Sequence, residues 1–471
     1  MSKTSITWVI TTLAIYQTRF WAEVAHHLQK QGHSVAFLSF DDRSSEYLTA
    51  KKFRVYSTCA MDKQKAECLM HSLEESLEEY GIDNLNFWLT HERFAFNLRN
   101  SQEMSLRLLT YLVLADRSLA ELSKDGQLVM IQELGGFISV IASFFSARKQ
   151  NIDNWFVEPS FYRGRQFFLK NRFGSMEIRS ISVKSASTKV KAYLSEVQAN
   201  KTIVVPVKDR HHYSAALNKI LNSHNVRRLG EKIIDKYLLG KHQEFGHIRS
   251  HVFSHAGMLL NSMRLAGKYT EMSKIGRFVY YPLHVPGDMA LTLRSPQFLD
   301  QLSLIDYLLR NLPNGYKLAI KEHPAMVGAM DAGRLKTLLN RYDQLALINP
   351  SENNFDVLDR SEAVVSVNSK SGAEAILLGK PVLVLGDAFY RDSPLATPVT
   401  SITEIGLRLR ELLAENFTPD RGKLERYFEE VWRSTYPGEL YVQGEENTKV
   451  FAHSIISAVF DADPQRQMEV S

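Results

Sequence analysis

The sequence predicts an α/β protein made of two doubly wound parallel sheets. Three observations point there. Short apolar runs recur in both halves of the chain, amphipathic helical stretches separate them, and a polar stretch at 174–275 divides the two series. At 471 residues the chain has room for two or three domains. Its 44% hydrophobic and 23% charged residues exclude disorder and collagen-like repeats.

The elements follow in order. Ile6 to Thr11 is a strand-like apolar run. Phe20, Val24 and Leu28 recur every four residues with Ala25 beside them, an amphipathic helix that Gly32 closes. Val35 to Phe40 and Phe53 to Ser57 read as strands. From Lys63 to Leu122 the apolar positions, among them Leu106, Leu109, Tyr111, Leu112 and Leu119, keep helical spacing. Strand, helix and strand return at Gln127 to Gln132, Phe137 to Ala147 and Ile152 to Val157. The two strands run out in Glu133 and Glu158. The stretch 174–275 is mostly helical by pattern and basic in places, at Arg227, Arg228, Lys232, Lys236 and Lys241. The second series has strands at Arg277 to Leu283, Tyr316 to Lys321, Leu345 to Ile348, Ala363 to Val367 and Pro381 to Leu385. Helices at Lys423 to Trp432 and Lys449 to Phe460 end it. The boundary falls near Gly267, giving an N-terminal Rossmann-like domain (1–267) with helical insertions, a C-terminal one (268–440), and a helix with tail (441–471). Two such domains facing across a cleft form the architecture known as GT-B.

Composition narrows the function. Two cysteines, Cys59 and Cys68, provide neither a disulfide framework nor a Cys-rich zinc site, and fit reduced thiols in a cytosolic protein. The N-terminal residues lack the apolar core of a secretory signal, and no run reaches the roughly 18 apolar residues of a membrane span. The expected location is cytoplasmic. Lys plus Arg number 57 against 52 acids, a net +5 that is too small to argue for nucleic acid. It fits anionic small-molecule substrates or an anionic membrane surface.

In doubly wound sheets ligands bind beyond the carboxyl ends of the strands, and four motifs fall there. Ser366 to Tyr390 reads as strand, polar turn (Asn368 to Gly372), helix and strand. Ser369, Ser371 and Gly372 would bind an anion at the helix N-terminus, and Glu374 would accept hydrogen bonds from a ribose. A plain N-cap with Glu374 as capping-box acid explains one serine and the Glu, but not the whole polar run. Lys321 to Pro324 (KEHP) puts His323 at a strand end, where a histidine can hydrogen-bond a phosphate or protonate a leaving group; alone, it reads as a turn residue. Tyr280 to Asp288 (YYPLHVPGD) carries His284 and Asp288 on a Pro-bounded loop. Glu158 precedes Pro159 at another strand end. Their convergence on one cleft makes the functional case.

PLHVPGD, KEHP and VNSKSGAEAILLGKPVLVLGDAFY together resemble the capsule polysaccharide biosynthesis family, whose members include the KpsC and KpsS proteins and retaining β-Kdo transferases. The resemblance implies a glycosyltransferase that moves Kdo from CMP-β-Kdo to a saccharide or glycolipid acceptor in capsule or lipopolysaccharide synthesis. Asp288 would be the nucleophile of a double displacement, Glu158 the base, with Glu133 as its alternative, and His323 the group meeting the phosphate. His284, Lys321, Pro324, Ser369, Ser371, Gly372 and Glu374 would form the CMP-sugar site. A CMP-activated sugar leaves as a phosphomonoester, so neither metal nor cofactor is required. Two other readings stand beside this one: a GT-B transferase using CMP-sialic acid or another nucleotide sugar, and a non-catalytic protein binding an anionic polymer or membrane. For membrane contact the expected face is Pro159 to Met176, with Arg163, Arg165, Lys170 and Arg172 among the aromatics Phe161, Tyr162, Phe167, Phe168 and Phe173.

Overall fold

The computed structural model of the chain describes residues 6–58, 63–178, 183–202, 205, 227, 230–414 and 419–461. Cys59 and Arg228 lie outside these; Cys68 is a free, exposed thiol. Among the described residues thirteen strands form two sheets: β1 (Thr7–Thr12), β2 (Ser34–Ser39), β3 (Arg54–Ser57), β4 (Leu128–Glu133), β5 (Asp153–Pro159), β6 (Arg165–Lys170), β7 (Phe278–Pro282), β8 (Lys317–Lys321), β9 (Leu345–Ile348), β10 (Ala363–Ser366), β11 (Val382–Val384), β12 (Ala396–Pro398) and β13 (Tyr436–Pro437). The helices used below are α1 (Ile15–Lys30), α2 (Thr90–Phe96), α3 (Ser101–Leu122), α4 (Ile138–Lys149), α5 (Thr188–Asn200), α6 (Ile248–Leu265), α7 (Met289–Thr292), α8 (Asn354–Arg360), α9 (Lys370–Leu377), α10 (Arg421–Arg433) and α11 (Glu445–Asp461).

The first sheet runs β13-β6-β5-β4-β1-β2-β3 and the second β12-β11-β10-β7-β8-β9. The second is parallel throughout, as is the first from β3 to β5. Each order therefore reverses once, between β1 and β4 and between β7 and β10. Those reversals are the switch points at which doubly wound sheets hold ligands. Apolar clusters cover both faces of each sheet. Burial on both faces is why the strands read as continuous apolar runs rather than alternating ones.

The strands expected from the sequence are present, the ends shifting by a residue or two. Three others are β6, β12 and β13. β6 pairs antiparallel with β5 through a turn at Gly164, where φ is +69°. β13 then adds to β6 from the far end of the chain, with Tyr436 opposite Gln166. α11 follows β13 back to the first lobe, where Phe451 meets Phe20 and Trp21 edge to face at 5.0 and 5.7 Å. Packing thus follows no single cut at Gly267. α5 joins the second lobe, with Val190, Leu194 and Val197 against Leu424 and Phe428 of α10. α6 touches both lobes: His251 packs on Phe96 at 5.5 Å, and Asn261 donates to the Gly328 carbonyl at 3.1 Å.

The expected membrane face at 159–176 is a structural seam. Phe161, Tyr162, Phe167 and Phe168 are buried in the cores. Arg165 lies 4.0 Å over the Trp432 ring and donates to the Thr435 hydroxyl at 2.6 Å. Lys170 pairs with Asp153 at 2.9 Å and Arg172 with Glu177 at 2.7 Å. The aromatics here are core, and Arg165, Lys170 and Arg172 have partners elsewhere in the fold, which composition alone does not separate from a surface patch.

Candidate active site

The second lobe's switch point joins two loops. The loop after β7 carries His284, Asp288 and Arg294; the turn after β10 carries Asn368 to Gly372. The Asn368 backbone N–H donates to His284 Nε2 at 3.4 Å, and the Asn368 amide donates to the Ala290 carbonyl and to Ser295 Oγ. Ser369 caps α9, its Oγ accepting from the Ser371 N–H at 3.2 Å. Behind the turn, Tyr390 donates to the Ser369 carbonyl at 2.6 Å and sits 2.8 Å from Ser366 Oγ. A Cβ on Gly372 would lie 2.4 Å from the Tyr390 ring. This close approach is what position 372 requires of glycine.

Three residues expected to touch the donor are buried beneath this turn. His284 is 7% exposed and its imidazole is pushed down to about 3 by burial and by the neighbouring His323. It is therefore a neutral acceptor that shapes the turn. Lys321 is 3% exposed, donates to the Glu352 carbonyl at 2.9 Å and is pushed down to about 8 by burial. Glu374, 2% exposed, accepts from Asn354 of α8 at 2.6 Å, so its carboxylate is turned inward from any ribose. The same Asn354 amide donates to Ser371 Oγ at 3.1 Å. These groups form an internal scaffold, as buried polar groups do when hydrogen-bonded.

The residues left at the surface of the cleft are Asp288, His323, Ser369, Lys370 and Ser371. Asp288 is exposed and caps the one-turn helix α7, its Oδ1 accepting from the Ala290 N–H at 3.1 Å. His323 is half-buried and caps the turn beginning at Pro324, its Nδ1 accepting from the Ala325 N–H at 3.2 Å. In the neutral form this puts its proton on Nε2. Glu322 points the other way, accepting from the Gly328 N–H at 3.0 Å, in line with strand alternation.

The first lobe meets this surface at four places. Arg294 reaches across to Glu158, its two terminal nitrogens donating to the two carboxylate oxygens at 2.8 Å each. It also donates to the carbonyls of Phe173 and Gly174 at 2.8 and 3.1 Å. Burial opposes the Arg294 charge, and Glu158, with Asp387 and Asp288 nearby, more than compensates. Lys370 Nζ donates to the Ser160 carbonyl at 3.3 Å, and Asp387 accepts from the Ser175 N–H at 2.9 Å. His91 of α2 meets Thr292 at 2.9 Å. The Thr292 hydroxyl donates its hydrogen to the Asp288 carbonyl, so His91 Nδ1 is the donor in that pair. His91 Nε2 is buried with no partner among the described residues, and burial pushes the ring down to about 4, with Asp288 pulling the other way.

The sequence reading gives Glu158 the role of base, and its geometry differs from that reading. Both Glu158 oxygens accept from the Arg294 guanidinium, a bidentate contact that occupies the carboxylate in bridging the lobes. Glu133 sits on the neighbouring strand end, facing the opposite side of the sheet, because Glu133 pairs with Val157 and Glu158 is one residue on. At the first lobe's switch point its Oε2 accepts from two neutral donors, Gln17 Nε2 at 3.1 Å and the Tyr441 hydroxyl. Arg294 and His91 carry no sequence motif. Behind His91, Glu92 is fully buried, accepts from the Ile138 N–H at 3.1 Å and lies 3.5 Å from Arg107, which pairs with buried Glu244 at 2.6 Å. Among the described residues no three His, Cys, Asp or Glu side chains gather as a metal-holding group, and no helix is long and apolar enough to cross a membrane.

Residues 256–398 match the model of a family described as "Capsule polysaccharide biosynthesis protein". The match contains every candidate residue of the second lobe. Protein FixF of Sinorhizobium fredii is 30% identical over 125 residues, a match spanning 26% of this chain and 30% of that relative's length. Among solved structures, a β-Kdo 2,7 transferase, KpsC of Thermosulfurimonas dismutans, is 13% identical with a TM-score of 0.34, over 73% of this chain and 89% of that one. The UDP-GlcNAc 2-epimerase of Methanocaldococcus jannaschii is 11% identical with a TM-score of 0.27, over 91% and 98%.

Proposed function

We propose that the chain, whose residues 256–398 match the capsule polysaccharide biosynthesis family, is a glycosyltransferase that moves Kdo from CMP-β-Kdo to a saccharide or lipid-linked acceptor with retention. One observation carries the reading: the exposed carboxylate of Asp288 stands at the β7/β10 switch point beside a hydroxyl-lined helix N-terminus, where doubly wound sheets bind nucleotides. The Asp288 carboxylate attacks the anomeric carbon and the bond to the CMP phosphate breaks. Ser369, Lys370 and Ser371 receive the phosphate charge, and His323 Nε2–H donates to it. An acceptor hydroxyl then attacks the glycosyl–Asp288 ester, losing its proton to Glu133, and the Asp288 carboxylate is restored. Glu158 and Arg294 hold the lobes in register.

Thermal melting with nucleotides tests this. CMP at 100 times its dissociation constant stabilises by about 2.7 kcal/mol, and UDP does not. Asp288→Asn keeps the helix cap and the CMP shift and loses transfer. Equal stabilisation by UDP overturns the donor assignment, and parental transfer rates in Asp288→Asn overturn the nucleophile.

A further inference from the structure

The exposed apolar surface of this protein is concentrated in one place. Of fourteen large exposed hydrophobic side chains among the described residues, nine fall between 233 and 263, so they form a patch rather than a scatter. On α6 they follow helical spacing. Arg249, Val252, Phe253, Ala256, Leu260, Met263 and Arg264 share one side of the helix. Phe253 is 75% exposed, Met263 67%, Leu260 54% and Val252 48%. Only Ile248 and Leu265 of this 18-residue helix are buried. α6 is an amphipathic helix whose apolar stripe faces out.

A second element continues the patch. Leu238 and Leu239 are 77% and 58% exposed, with Ile233, Ile234 and Tyr237 beside them. It adjoins the start of α6, because Lys236 donates to the Gly246 carbonyl, two residues before Ile248.

Charge selects the occupant. No Asp or Glu occurs from Phe245 to Thr270, while Arg249 and Arg264 bracket the stripe and Lys268 follows. Of the two acids of the neighbouring turn, Asp235 is buried against Arg43 at 2.5 Å, and Glu231, partly exposed, lies 3.7 Å from the same guanidinium and 3.1 Å from Arg227, so both are matched by cations. An apolar stripe with cationic ends and no acid fits an anionic lipid surface, where aliphatic stems lie along the hydrocarbon and the guanidinium groups reach the phosphates. A second copy of this face would oppose positive charge with positive charge. We infer that α6, with residues 233–239, docks this protein on an anionic membrane. Because α6 runs from Phe96 in the first lobe to the loop between His323 and Gly328 in the second, docking sets the cleft beside the bilayer. The inference stands on this surface alone, whatever the donor sugar.

Co-sedimentation of the full chain with vesicles tests it. The parent should pellet with equimolar phosphatidylglycerol–phosphatidylcholine vesicles and stay in solution with phosphatidylcholine alone. Phe253→Ser/Leu260→Ser/Met263→Ser should stay in solution with both. Arg249→Ser/Arg264→Ser should weaken binding roughly 20- to 30-fold, as two basic residues at an anionic surface imply. All of these residues are solvent-facing, so melting temperatures should match the parent. Ile402→Ser/Leu407→Ser, exposed apolar positions on the second lobe, should bind like the parent. The inference is overturned if the parent ignores both vesicles, if the triple variant pellets as the parent does, or if the triple change instead abolishes a dimer in solution.

Discussion

Replacing Glu158 by Gln distinguishes a clamp from a base. In the parent, Arg294 makes four hydrogen bonds across the lobes, two of them to the Glu158 oxygens at 2.8 Å. Its side chain is 6% exposed and that of Glu158 26%. Glutamine keeps one acceptor oxygen, sets an NH2 against the second N–H of the guanidinium, and leaves that cation buried without its counter-charge. Breaking a buried pair from one side costs about 3–5 kcal/mol. The partial exposure of Glu158 admits water and moves the expectation to about 3 kcal/mol, or a fall in Tm of about 6–12 °C for lobes of this size. Thermal melts followed by circular dichroism read it directly. Glu158→Gln/Arg294→Gln should recover part of the loss, because the unpaired cation is gone, and the double-mutant cycle gives the coupling. If Glu158→Gln melts with the parent while sugar transfer collapses, the clamp is refuted and Glu158 is the base. Glu133→Gln should behave in the opposite way, losing transfer at parental stability.

Two further predictions concern the turn and the buried titrating groups. Gly372→Ala sets a methyl 2.4 Å from the Tyr390 ring and should cost about 1–3 kcal/mol by overpacking. The displaced tyrosine releases Ser369, so the CMP-induced shift should shrink too; melts matching the parent with and without CMP would sink the packing argument. Urea unfolding from pH 4 to 8 should show stability rising between about 4 and 6.5, because burial pushes His91, His247 and His251 each down to about 4 while the unfolded chain still takes up protons. Glu92 acts with the opposite sign: burial raises it to about 7, so its contribution is full below about 4.5 and is lost as pH rises through 7. Glu92→Gln should therefore steepen the climb and remove the decline near neutrality, and an unchanged profile would refute the assignment.

The positions of the strand ends were legible because apolar runs and punctuating turns are local signals. Direction was not. KEHP and the serine turn stand where the sequence puts them, yet Lys321 and Glu374 point beneath the turn, since Glu352 and Asn354 offer partners there. Proximity to a strand end is written in the chain; the face a side chain takes depends on what packs behind it. Arg294 and His91 were invisible for the same reason, their partners lying more than a hundred residues away. The aromatic-basic stretch at 159–176 shows the reverse error. Its composition suits a surface, yet Phe161, Tyr162, Phe167 and Phe168 are interior, and Trp432 and β13 arrive from the far end of the chain to pack there.

The return of the chain to its first lobe has a consequence for synthesis. Phe20 and Trp21 of α1 are sealed by Phe451, and the β6 edge by β13. About 400 residues separate α1 from α11. At about 5–20 residues per second, the ribosome takes about 20–80 s to make them. Through that interval α1 presents bare aromatic surface and β6 an open edge, the two features that invite wrong partners. The second lobe, whose strands and α10 precede β13, has all its pieces first. The lobe begun earliest is thus the last to close, and it is this lobe that a nascent-chain chaperone has to shield.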